Sequence, residues 1–428
     1  MPIRILATAD LHLGKASADV SGHFAATKHT WETVVNWAIA HAVDVVALCG
    51  DIVDRDNRYF EAVGPLQDGL EKLGKHGIEV FMVSGNHDHD VLPGILRSRQ
   101  LDNVHLLGAN GTWELYSYTK AGETIQFAGW SFPRLIVQES AMTGWQLPGH
   151  DPNYPVIGLL HGDIDKPDSH YNPFRLVELI KQEVDLWILG HIHKPDQLRT
   201  HSPQVCYTGS PHALSAKEPG PHGPVLFTVA ADKPVITERI LLSPVRYERL
   251  AVNVSGCGDM MELRDLVMTS LRADVEAKLA QLEQVLAIVY QVSLTGRHAR
   301  IKQVEQWAAN ITDLNLRLET GTNLSVRKLT CNLAAEIGDL NELALQSSMI
   351  GQLAQTILAI QNKTTTPFLD ALMQDWFKKA RLLTDSGTYE PLGRHKKTDE
   401  LSDAVAREYI LTECNRLLGE LTDQVKIA

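Results

Sequence analysis

One pattern recurs along the chain and limits the folds that it can adopt: an apolar, strand-like run ends abruptly in glycine or in Asp, Asn or His. The clearest copy is residues 79–88, EVFMVSGNHD. Glycine after such a run lets the backbone turn sharply, and the carboxyl ends of strands in an open α/β sheet line one crevice. The pattern therefore predicts that polar side chains meet at one sheet edge.

Four further copies share this layout. They are residues 3–9 before Asp10-Leu11-His12, 43–49 before Gly50-Asp51-Ile52-Val53-Asp54-Arg55, 156–160 before His161-Gly162, and 185–189 before Gly190-His191-Ile192-His193. Two cations held about 3.5–4 Å apart need a bridging carboxylate surrounded by His, Asp and Asn. A single copy is equally well explained by an ordinary polar turn, but five copies together predict a dinuclear metal site.

Composition narrows the class of protein. A chain of 428 residues predicts two or three domains, and 44% hydrophobic with 21% charged residues is typical of a soluble globular protein. No apolar run reaches the ~20 residues of a membrane span, and the start of the chain predicts no export signal. The net charge of -12 disfavours indiscriminate binding to nucleic acid, so a DNA substrate would need local cations or a partner.

The cysteines indicate the compartment. Cys49, Cys206, Cys257, Cys331 and Cys414 lie far apart and form no C-x-x-C pair. An odd, scattered set predicts reduced thiols in a cytoplasmic protein, with neither a disulfide framework nor a zinc cluster.

Helices alternate with the motif strands, at about 30–42, 59–75 and 173–182, which predicts parallel crossovers. The strand-like runs between 104 and 133 are expected to start a second sheet packed on the first. The runs expected to complete that second sheet are 205–210, 225–229 and 235–242.

The motifs stop near Ser243-Pro244, where we expect a domain boundary. The predicted domains are 1–245 with the motifs, 246–340 as a small α/β unit, and 341–428 as a helical segment. Helices are expected there at 349–360, 367–383 and 399–421, with a loop at 387–393. The helical segment is either an appended bundle or a docking surface for partner helices, and the sequence does not choose between them.

Taken together, the motifs resemble those of the calcineurin-like metallophosphoesterase superfamily. Residues 1 to about 245 resemble the SbcD- and YhaO-type DNA repair nucleases, bacterial relatives of the meiotic-recombination nuclease. The residues that carry this resemblance are Asp10-x-His12, Gly50-Asp51-x-x-Asp54, Gly85-Asn86-His87-Asp88, His161 and Gly190-His191-x-His193. The resemblance implies an α/β fold (an α+β sandwich) with a two-sheet core flanked by helices, a small α/β capping domain and a C-terminal helical segment.

The resemblance also implies a ligand set for two divalent cations, most often Mn²⁺. Asp10, His12, Asp51 and His193 would hold the first cation, with Asp51 bridging, and the second would be completed by Asn86, His161 and His191. Imidazole with carboxylate would equally suit iron, zinc or cobalt.

Three further residues have candidate roles in catalysis. His87 is the candidate general acid, since its neighbour Asn86 is a candidate ligand, and Asp54 would orient its imidazole. Asp54 could instead cap the following helix. Arg55 resembles the phosphate-binding arginine of phosphoprotein phosphatases, although a solvated surface arginine is as good an interpretation. Asp163, in the loop after His161, would support the site or be solvated.

Three functions follow as hypotheses. The first is a metal-dependent nuclease in DNA repair or defence. For it the resemblance implies exonuclease action on duplex ends, endonuclease action on single strands, an SbcC-type ABC ATPase with a coiled coil as partner, and a possible homodimer. The second is a phosphatase or small-molecule phosphodiesterase with the same dinuclear site. The third is a non-catalytic scaffold, disfavoured by the complete ligand set and by His87.

Overall fold

The computed structural model describes residues 1–57, 61–98, 101–147, 149–231, 233–311, 314–335, 339–384 and 402–427. The strands are β1 (Ile3–Thr8), β2 (Val45–Cys49), β3 (Glu79–Val83), β4 (Val104–Leu106), β5 (Glu114–Lys120), β6 (Glu123–Trp130), β7 (Val156–His161), β8 (Leu186–Gly190), β9 (Asp196–Arg199), β10 (Gln204–Tyr207), β11 (Val225–Val229), β12 (Ile236–Arg239), β13 (Val245–Asn253), β14 (Ala287–His298), β15 (Leu316–Arg317) and β16 (Asn323–Ala335). The α-helices are α1 (Thr27–Ala40), α2 (Val63–Lys75), α3 (Leu92–Ser98), α4 (Leu176–Ile180), α5 (Met260–Lys278), α6 (Ile301–Asn310), α7 (Leu340–Ala344), α8 (Met349–Gln361), α9 (Pro367–Thr384) and α10 (Asp403–Ile427).

The chain divides into two compact units. The first comprises Met1–Arg249, Glu276–Gln291 and Asn315–Arg327, and the second comprises Leu250–Val275, Val292–Leu314 and Lys328–Ala428. Each unit thus combines segments that are distant in sequence. The domain limits expected at 245 and 340 stay predictions.

The first sheet has the order β12-β11-β1-β2-β3-β4. Strands β1 to β4 are parallel, and β11 pairs antiparallel with β1. The expectation that β4, β11 and β12 belong to the second sheet is therefore wrong. An apolar run shows that a strand is buried, but it carries no information about which neighbour the strand pairs with.

The second sheet has the order β5-β6-β7-β8-β10-β9, with β6, β7, β8 and β10 parallel. The five motif strands are therefore split, with β1, β2 and β3 in the first sheet and β7 and β8 in the second. The expectation of one shared sheet edge is wrong: the motif loops come from the carboxyl ends of strands in two packed sheets.

Alternate strand residues build the core between these two sheets. Ile5 and Phe81 of the first sheet lie in one buried cluster with Ile157 and Ile188 of the second. The opposite face of the first sheet packs against α1 and α2. Strands covered on both faces need apolar residues throughout, which explains the continuous runs in the sequence. The predicted α/β fold with a two-sheet core flanked by helices is confirmed.

The remaining strands form a third sheet, β13-β14-β16-β15. In the second unit, α8, α9 and α10 share a buried core that includes Leu353, Leu369 and Ile410. The predicted loop at 387–393 lies outside the described residues. No helix among the residues described is long and apolar enough to cross a membrane, and all five cysteines are free thiols.

Candidate metal centre

The backbone turns sharply where the motif strands end. Asp10, His12 and Asp51 have φ values of 52°, 44° and 51°, and His191 has a φ of 100°. Positive φ is uncommon for residues other than glycine and concentrates at functional sites. Hydrogen bonds from Asp10 N to Gly50 O and from His12 N to Asp51 O, both 3.0 Å, hold the first two loops together.

Two positions in these loops require glycine, because atoms of a neighbouring loop or strand lie where a Cβ would stand. A Cβ at Gly85 would overlap the Asp51 carboxylate, and one at Gly190 would overlap the carbonyl oxygen of Cys49. Only glycine therefore lets the loops approach closely enough for their polar side chains to meet.

Asp10, His12 and His193 form the first group of candidate ligands, with ligand atoms within 4.8 Å of one another. The Nε2 atoms of His12 and His193 face each other at 3.1 Å. Asp10 is buried, and both of its carboxylate oxygens accept a hydrogen bond from His191 N. Two strand-end loops, those after β1 and β8, thus converge on one point.

The second group is Asp51, His161 and His191, again within 4.8 Å. Asp51 Oδ2 lies 3.5 Å from His161 Nε2 and 3.9 Å from His12 Nε2. The same carboxylate oxygen therefore faces both groups, as a bridging ligand must.

Several buried polar atoms at this point have no hydrogen-bond partner, among them His161 Nε2 and Asn86 Oδ1. His161 Nδ1 donates to Cys49 O at 2.8 Å, so Nε2 faces the centre and can offer a lone pair to a cation once it is deprotonated. A buried polar atom without a partner is costly, and a divalent cation would satisfy these atoms together. The residues present therefore fit a dinuclear site.

The pKa shifts of His161 and Asp51 also indicate a site for cations. Burial by itself would lower the pKa of His161, but Asp51 and Asp10 raise that pKa to about 9. Burial would likewise raise the pKa of Asp51, yet His161 and His12 hold it well below its usual range. Buried carboxylates here require positive charge beside them, which divalent cations would supply.

Two carboxylates orient the ligand histidines. His193 Nδ1 donates to Glu218 Oε1 at 2.8 Å, and Glu218 Oε2 accepts from Leu214 N at 2.8 Å. Asp163 Oδ2 lies 3.3 Å from His191 Nε2. Such partners fix the tautomer and orientation of a ligating imidazole. The sequence points to Asp163 through its loop, but Glu218 is 25 residues from His193 and has no motif around it.

Asp88 joins two of the motif loops. Its carboxylate accepts hydrogen bonds from Gly85 N at 2.7 Å and from Ile52 N at 2.6 Å. Burial, together with the nearby Asp51 charge, raises the pKa of Asp88 to about 7. Sequence reasoning gave Asp88 no role, although it ends the Gly-Asn-His-Asp motif.

His87 lies at the solvent side of the centre, with its side chain 30% exposed. Its Nδ1 is 3.5 Å from Asp54 Oδ1, and its Nε2 is 4.0 Å from Asp51 Oδ2. The contact with Asp54 raises the pKa of His87. Asp54 does not cap the next helix, because α2 begins at Val63 with Ala62 as its N-cap residue. Arg55 is exposed, and no contact in the described part of the chain joins it to the centre.

With this geometry in place, residues 3–195 match the family model described as calcineurin-like phosphoesterase. This segment of the chain is similar to the calcineurin-like phosphoesterases. All the predicted metal ligands, together with His87, Asp54 and Arg55, lie within the matched segment.

Curated relatives match part of the chain. The chain is 32% identical over 248 residues to the uncharacterized metallophosphoesterase YhaO of Bacillus subtilis, covering 57% of this chain and 58% of that protein. It is 25% identical over 242 residues to the DNA double-strand break repair protein Mre11 of Methanosarcina mazei, covering 56% of this chain and 38% of that protein. The chain thus matches less than two thirds of the length of each of these relatives. Among solved structures, a dimetal phosphatase from Danio rerio aligns with 56% of this chain and 99% of its own at 14% identity, with a TM-score of 0.35.

Proposed function

We propose that this protein is a metal-dependent phosphodiesterase that cleaves DNA. The observation that carries the proposal is the position of Asp51: one carboxylate oxygen faces both ligand groups, and His87 stands beside it at the solvent side. Two divalent cations, Mn²⁺ by the family resemblance, would be held by Asp10, His12, Asp51, Asn86, His161, His191 and His193. When bound, such a pair supplies Lewis acidity toward the phosphate and activates water near neutral pH.

The chain's own residues then have distinct tasks. His87, half-buried and paired with Asp54, donates a proton to the departing oxygen. Glu218 and Asp163 keep His193 and His191 in fixed orientations. Arg55, which is exposed, would contact the substrate's phosphate only once substrate is bound.

DNA as the substrate is supported by the relatives rather than by charge. The named Mre11 relatives are double-strand break repair proteins, and their similarity covers 50% to 56% of this chain. We extend the proposal to exonuclease action on duplex ends and endonuclease action on single strands, with an SbcC-type ATPase and a second copy of this chain as partners. The free thiols fit a cytoplasmic location.

A phosphatase or small-molecule phosphodiesterase is the second candidate. The observation in its favour is the net charge of -12, which repels a polyanion more strongly than it repels a small phosphoester. The metal chemistry would be the same, so only the substrate distinguishes the two candidates.

The test is cleavage of end-labelled single- and double-stranded DNA beside a chromogenic phosphodiester and a chromogenic phosphomonoester, with added Mn²⁺. A chelator and the His87→Ala protein are the controls. We expect metal-dependent DNA cleavage that is lost in both controls. Turnover of the small esters alone would transfer the proposal to the second candidate, and no turnover of any ester would refute both.

A further inference from the structure

Asp54 has a closer partner than the imidazole that it is expected to orient. Lys15 Nζ lies 2.7 Å from Asp54 Oδ1, and the Asp54 side chain is only 1% exposed. The same oxygen is 3.4 Å from His12 Nδ1 and 3.5 Å from His87 Nδ1. One buried carboxylate oxygen therefore faces an ammonium group, a candidate metal ligand and the candidate general acid.

The two imidazole contacts are longer than a good hydrogen bond, whereas the lysine contact is short. Apart from these, the carboxylate accepts only from Asp56 N, at 3.2 Å to Oδ2, among the residues described. A buried carboxylate without a charged partner is strongly destabilising and turns toward whatever donor it can reach. Lys15 is thus the group that holds the Asp54 charge where both rings contact it.

The backbone keeps Lys15 in place for this contact. Lys15 N donates to His12 O at 3.0 Å, and Thr27 Oγ1 donates to the carbonyl oxygens of both residues, at 3.1 Å and 3.0 Å. Asp54 N donates to Leu13 O at 3.0 Å, which joins the loop of Lys15 to the loop of Asp54. The Lys15–Asp54 ion pair therefore joins two loops that backbone hydrogen bonds hold together. It differs in this from an ion pair between two mobile surface side chains.

We propose that Lys15 is a positioning residue: its ammonium group fixes the Asp54 carboxylate, and Asp54 in turn fixes the His87 imidazole beside the metal centre. The expected effect of Lys15 on kcat rests on the proposed function. Its expected effect on the position of the Asp54 carboxylate and the His87 imidazole does not. Lys15 also places a positive charge beside Asp54. Arg55, by contrast, is exposed and makes no contact with the centre among the described residues.

The kinetic test compares Lys15→Met and Lys15→Arg with the unchanged protein, using a chromogenic phosphodiester and Mn²⁺. Lys15→Met keeps the length of the side chain and removes its charge. We expect kcat to fall about 10- to 100-fold with KM changed less than about twofold, because the imidazole is misplaced and the substrate is still bound. Lys15→Arg should recover a substantial part of kcat.

A double-mutant cycle asks whether Lys15 acts through Asp54. In an Asp54→Asn background, Lys15→Met should lower kcat less than about twofold, since the carboxylate that it holds is already gone. Lys28→Met is the matched control: Lys28 forms an ion pair with Glu61 at 3.1 Å, with both side chains exposed. We expect no change from it.

A readout without turnover separates failure of this inference from failure of the proposed function. Histidine side-chain ¹⁵N spectra of the metal-free protein should show shifted His87 and His12 resonances in Lys15→Met, while His105, which pairs with Glu79, stays unchanged. Melting curves establish that each variant folds.

The inference is overturned by three results. A rise in KM at constant kcat would make Lys15 a substrate-binding residue. Equal losses from Lys15→Met in both backgrounds would show that Lys15 does not act through Asp54. Unchanged kinetics together with unchanged His87 resonances would reduce the contact to a surface ion pair. If the unchanged protein hydrolyses no phosphoester, the resonances alone decide the matter.

Discussion

The first compact unit of the molecule buries histidines in two places with opposite properties. At the metal centre, His161 is fully buried beside Asp51, its Nε2 has no hydrogen-bond partner, and its pKa is raised to about 9. His212 is equally buried, but it is surrounded by Ser17, Thr30 and the carbonyl oxygen of Ala25. Burial lowers the pKa of His212 to about 4.

The neutral tautomer of His212 accounts for all three contacts. Its Nε2 donates to Ala25 O at 3.0 Å and to Ser17 Oγ at 2.7 Å, while Thr30 Oγ1 donates to Nδ1 at 2.7 Å. His212 therefore needs nothing from outside the protein. The contrast teaches that a buried histidine marks a site only when a nitrogen is left unpaired and carboxylates face it.

The largest effect is expected from a substitution that removes the bridging carboxylate of the metal centre. Asp51→Asn removes the charge that faces both ligand groups, so we expect phosphoester hydrolysis to fall to the level of the buffer blank. Bound metal, measured by elemental analysis after dialysis, should fall well below that of the unchanged protein. Full metal retention in a folded Asp51→Asn protein would contradict a bridging role. A His212→Gln protein should keep its metal.

The next effect separates chemistry from metal binding. His87→Asn should lower kcat by about 100- to 10,000-fold, the usual contribution of a general acid, while the metal content stays unchanged. The measurement is kcat on a chromogenic diester together with elemental analysis. Loss of metal along with activity would make His87 a metal ligand and refute its assignment as the general acid, since His87 also lies within ligand distance of His12 and Asp54.

The third effect concerns stability and the neutral cluster. The unfolded chain protonates histidine near pH 6.5, whereas native His212 stays neutral down to about pH 4. Between these values the unfolded state binds the extra proton, so the free energy of unfolding should fall by about 3 kcal/mol as the pH drops from 6.5 to 4. Below pH 4 the group adds nothing further.

Denaturant unfolding of the metal-free protein at several pH values measures this loss. His212→Gln should be less stable at pH 7 but should show a shallower decline toward pH 4. Charged neighbours also act on this group, since Glu218 raises the pKa of His212 while His222 and His29 lower it. An unchanged pH slope in His212→Gln would mean that the histidine is not held neutral.

The smallest effect is expected from a substitution that changes the hydrogen-bond partner of a ligand histidine and leaves every ligand in place. Glu218→Gln keeps a hydrogen-bond acceptor for His193 but loses the charge, and we expect about 10- to 100-fold weaker metal affinity, measured by calorimetric titration. Glu238→Gln, a change at a residue of the strand β12, is the control. Equal affinities for Glu218→Gln and the unchanged protein would show that the carboxylate only braces its loop.

Much of the fold was predictable because burial leaves a direct trace in sequence. Strands covered on both faces require unbroken apolar runs, so β1, β2, β3, β7 and β8 and the α/β class could be read from the pattern. The pairing of the strands could not be read from the pattern, because β4 and β11 resemble the strands expected in the second sheet and yet join the first sheet. Backbone hydrogen bonds between strands do not depend on which side chains the strands carry.

The sequence by itself determined which residue types stand at the strand ends, since Asp, Asn or His follows each of five apolar runs and only their repetition points to chemistry. Only the tertiary structure decided which atoms face one another. Lys15 contacts Asp54 across 39 residues and Glu218 contacts His193 across 25, and neither Lys15 nor Glu218 belongs to one of the five strand-end motifs. Such contacts depend on how two sheets pack and on backbone turns of positive φ, and neither is encoded by any local pattern.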